Sequence, residues 1–290
     1  KYNRYQFKEN KRELMLNTKI ILSILLFTIL NIRNVNATNT PAEVENFDIR
    51  YYHPVNYGLK DLVFEVRVKN LLEKLNKRLS LGALADVYFK VYWMMPGKYK
   101  LEVNGLPKGF KEIKAELKSM IKNRLDFVIP LKLAPKIRSY SLTSSKLKSG
   151  TRIVGMDRTH TRAVNEIQLK FNRKGMLEGF KTLSPMGVNN SKFKMSAKGW
   201  SHNKWVVDTL TVDSIQGIQK TSMRHKINYV PIDGFGFPVK VVISTSQEIL
   251  HTKSSKASKS KRELNTEILF SKYEVNTGKA QRYITQGKRN

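Results

Sequence analysis

The sequence contains no cysteine, and acidic residues are scarce beside basic ones. The lack of cysteine excludes disulfide bonds, thiolate metal sites, cysteine nucleophiles and a lipid attached through a thioether. The five histidines do not form HExxH, HxH or another spacing that places two metal ligands on one face of a strand or helix. No GxSxG nucleophile elbow and no phosphate-cradling glycine loop occurs. The sequence therefore predicts a protein that is not an enzyme, holds no metal and needs no cofactor.

Long apolar runs are also rare, and the clearest one lies near the N-terminus. The run at 20–30 is about half the roughly twenty residues needed to span a bilayer. Small residues follow at Val35 and Ala37, the two positions that a signal peptidase reads. We expect a signal peptide at 15–37, cleaved after Ala37, and export to the periplasm; an uncleaved N-terminal anchor is the alternative. Residues 1–14 are expected to be upstream sequence that is not translated natively, because a methionine follows them.

Negative charge is the other shortage, with 53 Lys and Arg against 23 Asp and Glu, a net charge of +30 and a pI near 10.2. Such a balance usually indicates nucleic-acid binding, but an exported protein meets anionic head groups and cell-wall polymers instead. A large positive charge supplies long-range attraction to those surfaces. We therefore expect contact with an anionic envelope surface and no nucleic-acid partner. The alternative is that basic residues only serve solubility in a basic proteome.

Most of the chain after the signal alternates between apolar and polar residues, which is the pattern of half-buried antiparallel strands. Leu62, Phe64 and Val66 share one face, and Val87, Phe89, Val91 and Trp93 share another. A third strand is predicted at 98–103, and tight turns are predicted at Pro96-Gly97, Asn172–Gly175 and Asp233-Gly234. Further strands are predicted at 137–147, 150–157, 164–172, 175–184, 191–199, 204–213, 218–229, 237–249 and 264–275.

One segment, 108–125, has helical periodicity instead. Phe110, Ile113 and Leu117 begin an apolar stripe, and a second stripe around the axis consists of Lys111, Lys114, Lys118 and Lys122. A second helix is predicted at 69–79. Together these patterns predict a mainly β (α+β) fold: a strongly curved antiparallel sheet that forms an incomplete barrel of about 11 strands, with one or two helices packed in its concave side. We expect one domain over 38–290, with a Lys/Ser-rich loop at 253–262 and a flexible tail from about 277.

The pattern over most of 45–276 resembles the LolA/LolB-like superfamily of periplasmic lipoprotein-sorting proteins. Residues 229–238, YVPIDGFGFP, look like the family's "dGf.lP..i" strand, and 267–276, EILFSKYEVN, look like its last strand, which usually ends in "Y.vN". Residues 167–175, IQLKFNRKG, are similar to a central hairpin. The family's functional arginine has no single counterpart, since Arg50, Arg67 and Arg78 all fit by pattern. The lipid-bearing cysteine of the receptor branch is absent.

The resemblance implies a monomeric carrier that holds lipid acyl chains or acylated lipoproteins in a hydrophobic cavity. A curled sheet with large apolar side chains on one face also tends to enclose such a cavity. The expected cavity residues are Leu62, Phe64, Val66, Val87, Phe89, Val91, Trp93, Phe110, Ile113 and Leu117, and the expected contacts to an anionic surface are Lys111, Lys114, Lys118 and Lys122. A dry, closed core is the alternative for the first set. The alternatives for function are an envelope-stress sensor or scaffold of the same fold, or a basic module that binds polyanions.

Overall fold

The computed structural model describes residues 40–79, 84, 86–250 and 262–286. The expected signal peptide, the residues before it and nearly all of the Lys/Ser-rich loop lie outside the described residues. The described chain contains five α-helices: α1 (Ala42–Arg50), α2 (Leu71–Leu79), α3 (Lys111–Lys122), α4 (Leu133–Ile137) and α5 (Lys279–Thr285). None of the helices in this described part is long and apolar enough to cross a membrane.

Twelve strands form a single antiparallel sheet that does not close: β1 (Asp61–Val68), β2 (Tyr88–Met94), β3 (Lys98–Asn104), β4 (Ser141–Leu147), β5 (Gly150–Met156), β6 (Glu166–Asn172), β7 (Leu177–Ser184), β8 (Gly187–Ala197), β9 (Trp205–Gln216), β10 (Gln219–Ile232), β11 (Phe235–Ile249) and β12 (Arg262–Val275). The spatial order is β3-β2-β1-β12, followed by β11 down to β4, so β3 and β4 are the edges. The first three strands are therefore joined to the last one by the β1–β12 pairing.

The predicted mostly-β fold with one open antiparallel sheet is confirmed, and the sheet is half-barrel-like. The prediction of one or two helices packed in the concave side is not confirmed, since the described residues contain five α-helices. The two predicted segments are present as α2 and α3. Of the three additional helices, α4 and α5 span only five and seven residues, which leaves little helical periodicity in the sequence. Helix α1 is as long as α2, but Val44 and Phe47 are its only buried apolar residues, too few to form a clear stripe.

The helices α3 and α4 cover one face of the sheet, which we call the inner face. On β1, β2 and β11 the rings of Phe64, Phe89 and Phe237 pack in one core cluster with Leu117 and Ile121 of α3. A second cluster joins α1 and α4 to β5, β6 and β7, with members that include Val44, Phe47, Ile137, Ile153, Leu169 and Phe171. Burial of these side chains against the sheet holds α3 and α4 in place.

The residues that carry the family resemblance have structural roles in this fold. The Tyr273 hydroxyl donates a hydrogen bond to the Pro238 carbonyl, 2.5 Å away, and so links β12 to β11. The Asn276 side chain accepts hydrogen bonds from the backbone N–H of Lys60 and Asp61. At Gly236, a Cβ atom would lie 1.9 Å from the Trp200 ring, so only glycine lets that ring pack on the strand.

Residues Lys279–Thr285 form a helix within the segment where the sequence predicts a flexible tail. Helix α5 packs on the opposite, outer face of the sheet, over β1, β2 and β3. The Tyr283 ring stacks on Tyr92 with ring centroids 4.1 Å apart, and its hydroxyl donates to the Glu102 carboxylate. The Gln281 backbone N–H donates to the Asp61 carboxylate at 2.8 Å. Ring stacking and partly buried hydrogen bonds to residues far away in the sequence order this segment, and local sequence does not reveal them.

Candidate ligand-binding site

The chain between α3 and α4, residues 123–132, lies on the inner face of the sheet and is called here the α3–α4 connection. It contains a short 3-10 helix at Leu125–Phe127. Val128 and Ile129 are buried in the same core as α3. Leu131, in contrast, is 53% exposed despite its apolar side chain. The connection therefore combines two buried anchoring residues with an apolar side chain that is largely exposed to solvent.

Two apolar cavities border the connection. The smaller one has a volume of about 170 Å³ and lies against Phe64, Val91 and Trp93 on the sheet. The larger one has a volume of about 300 Å³, and its walls come from α1, β7, β8 and β9: Phe47, Tyr51, Leu177, Phe180, Phe193, Met195, Val207 and Leu210. Asp126 and Leu131 line both cavities. The two cavities are thus separated by a single short segment, the α3–α4 connection.

The predicted cavity residues divide into two groups in the structure. Phe64, Val91 and Trp93 line the smaller cavity. The others line neither of the two cavities: Leu62, Val66, Val87, Phe89 and Leu117 are buried in the core, Ile113 is half-buried against it, and Phe110 is half-buried outside both core clusters. Sequence reasoning missed the walls of the larger cavity. Alternation in the predicted strands 191–199 and 204–213 was the available signal, but these strands lie far along the chain from the helix.

The predicted lysine stripe is mostly at the surface. Lys111, Lys118 and Lys122 are exposed and Lys114 is half-buried, while Lys122 also reaches the rim of the smaller cavity. The three arginines considered for the family's functional position lie outside both cavities. Arg50 donates to the Lys174 carbonyl, Arg67 pairs with Asp86 at 2.7 Å, and Arg78 pairs with Glu116 at 3.0 Å.

Polar contacts fasten the connection at its C-terminal side. The buried Asp48 carboxylate of α1 accepts hydrogen bonds from the backbone N–H of Leu133 and Ala134, at 2.7 and 2.9 Å, where α4 begins. His53 Nδ1 lies 3.0 Å from the Pro130 carbonyl. Since a carbonyl only accepts, Nδ1 carries the proton, and Nε2 is buried without a partner.

Removal of the Asp48 carboxylate is the most direct way to loosen this fastening. We expect Asp48→Ala to lower the free energy of unfolding by about 2 kcal/mol, because hydrogen bonds to a charged group contribute about 1.5–3 kcal/mol and the first N–H groups of α4 lose their acceptor. Urea unfolding measures the change. Asp48→Asn keeps one acceptor oxygen and should lose less. Equal losses in the two variants would contradict the capping role.

The two buried histidines make stability depend on pH. Burial lowers the pKa of His53, and the Pro130 carbonyl opposes the shift. Burial also lowers the pKa of His225, and the positive charge of Arg124 adds to the effect. The unfolded chain therefore binds these protons more readily than the folded one. The histidine contribution to stability is present above a pH of about 6.5 and decreases as the pH falls below that value toward the folded-state pKa.

We accordingly expect the urea concentration at the unfolding midpoint to decrease as the pH is lowered from 7.5 to 5.5. The decrease should be proportional to the number of protons taken up on unfolding. The double variant His53→Asn, His225→Asn should show a flatter dependence over this range. The matched control replaces His160 and His202 by asparagine, a residue that tolerates their left-handed backbone (φ 52° at both). A control with the same flattening as the test variant would contradict this assignment.

The side chains that line the two cavities on the inner face are mainly apolar. Within the described residues, no group of three or more His, Cys, Asp and Glu side chains is placed to hold a metal ion. Comparison with known protein families, with curated proteins and with solved structures finds no match for this chain. The cavities and their walls therefore carry the functional argument by themselves.

Proposed function

We propose that this chain is a periplasmic, non-catalytic carrier or binder of acylated lipoprotein or lipid, acting as a monomer through a hydrophobic cavity. In this proposal the open sheet is the incomplete barrel of the LolA/LolB-like superfamily, with helices in its concave side. The observation that carries the proposal is the pair of apolar cavities on either side of the α3–α4 connection.

Volume is the first supporting argument. An apolar cavity of about 150 Å³ in a protein core stays dry and binds a molecule as small as benzene, and ligand pockets usually span about 300–1,000 Å³. The larger cavity, about 300 Å³, is at the lower limit of that range. Neither cavity is sized for a long acyl chain by itself. Displacement of the connection would join them, because Asp126 and Leu131 line both.

The chemistry of the connection is the second argument. Val128 and Ile129 now fill apolar space against the sheet. An acyl chain offers the same kind of apolar contact. If a ligand took the place of Val128 and Ile129 against the sheet, the buried apolar area would therefore change little. The exposed ion pair of Asp126 with Lys136, 2.8 Å, opposes such a movement only weakly. The contacts of His53 and Asp48 fasten only the C-terminal side of the connection, from Pro130 onward. We therefore expect residues 123–129 to act as the movable cover.

The test is the extraction of ligands from the protein purified natively from a periplasmic fraction, followed by mass spectrometry, together with titration of the delipidated protein with a fluorescent fatty acid. We expect bound acyl lipids in the extract and saturable uptake of the probe by the delipidated protein. An extract without lipid, combined with no uptake of the probe, would overturn the proposal and leave the inner face as a closed core.

A further inference from the structure

The outer face of the sheet, opposite the cavities, carries a row of six paired positions, four of which are basic. The strand registers pair Arg152 with Lys170, Lys170 with Gly179, Gly179 with Lys192, Lys192 with Thr211, and Thr211 with Arg224. Directly paired residues point to the same face. The row crosses six strands, β5 to β10, and so extends over about 24 Å at about 4.8 Å per strand. Arg152, Lys170, Lys192 and Arg224 are exposed.

Neighbouring rows add to this charge. Lys194 and Lys226 are both exposed and both pair with Thr209. Lys181 lies beside the main row, between Gln168 and Asn190. We call the set of Arg152, Lys170, Lys181, Lys192, Lys194, Arg224 and Lys226 the outer basic face. Among the described residues, Lys170 is the only member with an ion pair, to Glu178 at 3.5 Å.

A depression lies within the outer basic face, and Gly179 is one of the residues that line it. It has a volume of about 610 Å³, and four of the basic residues line it: Arg152, Lys170, Lys181 and Lys192. A Cβ atom at Gly179 would have its nearest neighbours at 3.7 Å, so a side chain would fit there and the glycine leaves the floor open. Leu147, 45% exposed, also lines the depression. Glu178, the ion-pair partner of Lys170, also lines the depression, and Arg152 donates a hydrogen bond to Gln168 Oε1 at 2.7 Å. Lys181 and Lys192 are the cations left to meet an anionic group in this space.

We propose that the outer basic face binds the phosphate groups of an anionic lipid surface. Arginine and lysine are the residues that proteins use for phosphate, and arginine adds bidentate geometry. A row about 24 Å long is several times longer than one phosphate group is wide, so it matches an array of closely spaced phosphates. The exposed Leu147 beside the depression adds an apolar side chain that suits the boundary between head groups and acyl chains.

The composition of the main row favours lipid over single-stranded nucleic acid. The paired positions of the main row are Arg152, Lys170, Gly179, Lys192, Thr211 and Arg224, without an aromatic residue. Proteins that bind single-stranded nucleic acid combine a basic groove with aromatic side chains on which bases stack. The face is also separate from the lysine stripe of α3, which the sequence indicated as the anionic contact. This inference stands on the outer face alone and does not depend on the cavities.

The test measures binding of the full chain to vesicles of phosphatidylcholine with and without phosphatidylglycerol, by co-sedimentation. The variant is Lys181→Gln with Lys192→Gln, and the control is Lys111→Gln with Lys118→Gln, which removes the same charge from α3. We expect the variant to bind anionic vesicles about thirtyfold more weakly, since each basic residue near such a surface contributes about 1 kcal/mol, or about fivefold. The control should bind like the parent, and thermal unfolding should match in all three.

Four outcomes decide the proposal. Competition by tripolyphosphate, lost in the Lys181/Lys192 variant, would support phosphate as the group that is recognised. Equal weakening of variant and control would show that only net charge matters, and so would overturn the assignment to the outer face. No binding of the parent to anionic vesicles would overturn it as well. Preference for duplex DNA over vesicles at equal phosphate concentration would overturn the lipid partner.

Discussion

A Leu210→Trp variant is expected to lose most of its uptake of a fluorescent fatty acid while it still unfolds cooperatively. Leu210 is half-buried and lines the larger cavity, which has a volume of about 300 Å³. The additional volume of the indole would occupy space that we assign to the acyl chain. Overpacking of a full core usually costs about 1–3 kcal/mol, but a side chain that enters an existing cavity avoids most of this cost. Titration with the probe and urea unfolding measure the two effects.

The control for this experiment is Leu183→Trp. Leu183 is a half-buried leucine on β7, two residues after Lys181, and therefore faces the outer side with it. Its enlargement leaves both inner cavities unchanged, so uptake should equal that of the parent. If Leu210→Trp takes up the probe like the parent, the larger cavity is not the site. If both variants lose uptake equally, the loss does not report on the cavity.

Truncation of Phe89 should give the largest loss of stability, about 3–5 kcal/mol in the free energy of unfolding. Its side chain is 0% exposed, and it lies in the core cluster without lining either of the two cavities. The Phe89→Ala variant should therefore take up the fluorescent fatty acid normally under conditions in which it is folded. Urea unfolding and probe titration, performed on the same sample, separate the two properties.

Phe110→Ala is the matched comparison, because Phe110 is half-buried and lies outside both core clusters. We expect it to lose about 1 kcal/mol, the centre of the range for single substitutions. A loss at Phe110 as large as that at Phe89 would mean that the N-terminal end of α3 is packed more tightly than the structure describes. If Phe89→Ala folds normally but does not take up the probe, the binding site includes the core around Phe89.

Much of the fold could be predicted from the sequence, because alternation along a strand records which side chains face the core. The alternation of Leu62, Phe64 and Val66, and that from Val87 to Trp93, corresponds to β1 and β2. The Asp233-Gly234 turn joins β10 to β11 with positive φ at both residues, a conformation that this dipeptide favours. The stripe around Leu117 corresponds to α3. All of these signals are local, within one element or one turn.

The candidate sites depend on distances that only the tertiary structure determines. The pairing of β1 with β12 joins residues 200 or more positions apart, and the larger cavity is lined by both Phe47 of α1 and Leu210 of β9. The outer basic face requires the registers of six strands to place Arg152 and Arg224 in one row. Composition and periodicity along the chain indicate which residues are apolar or charged and most of the elements that they form. Strand register and helix packing determine which of these residues come into contact. Both depend on burial across the whole chain, and the periodicity of a single segment does not reveal them.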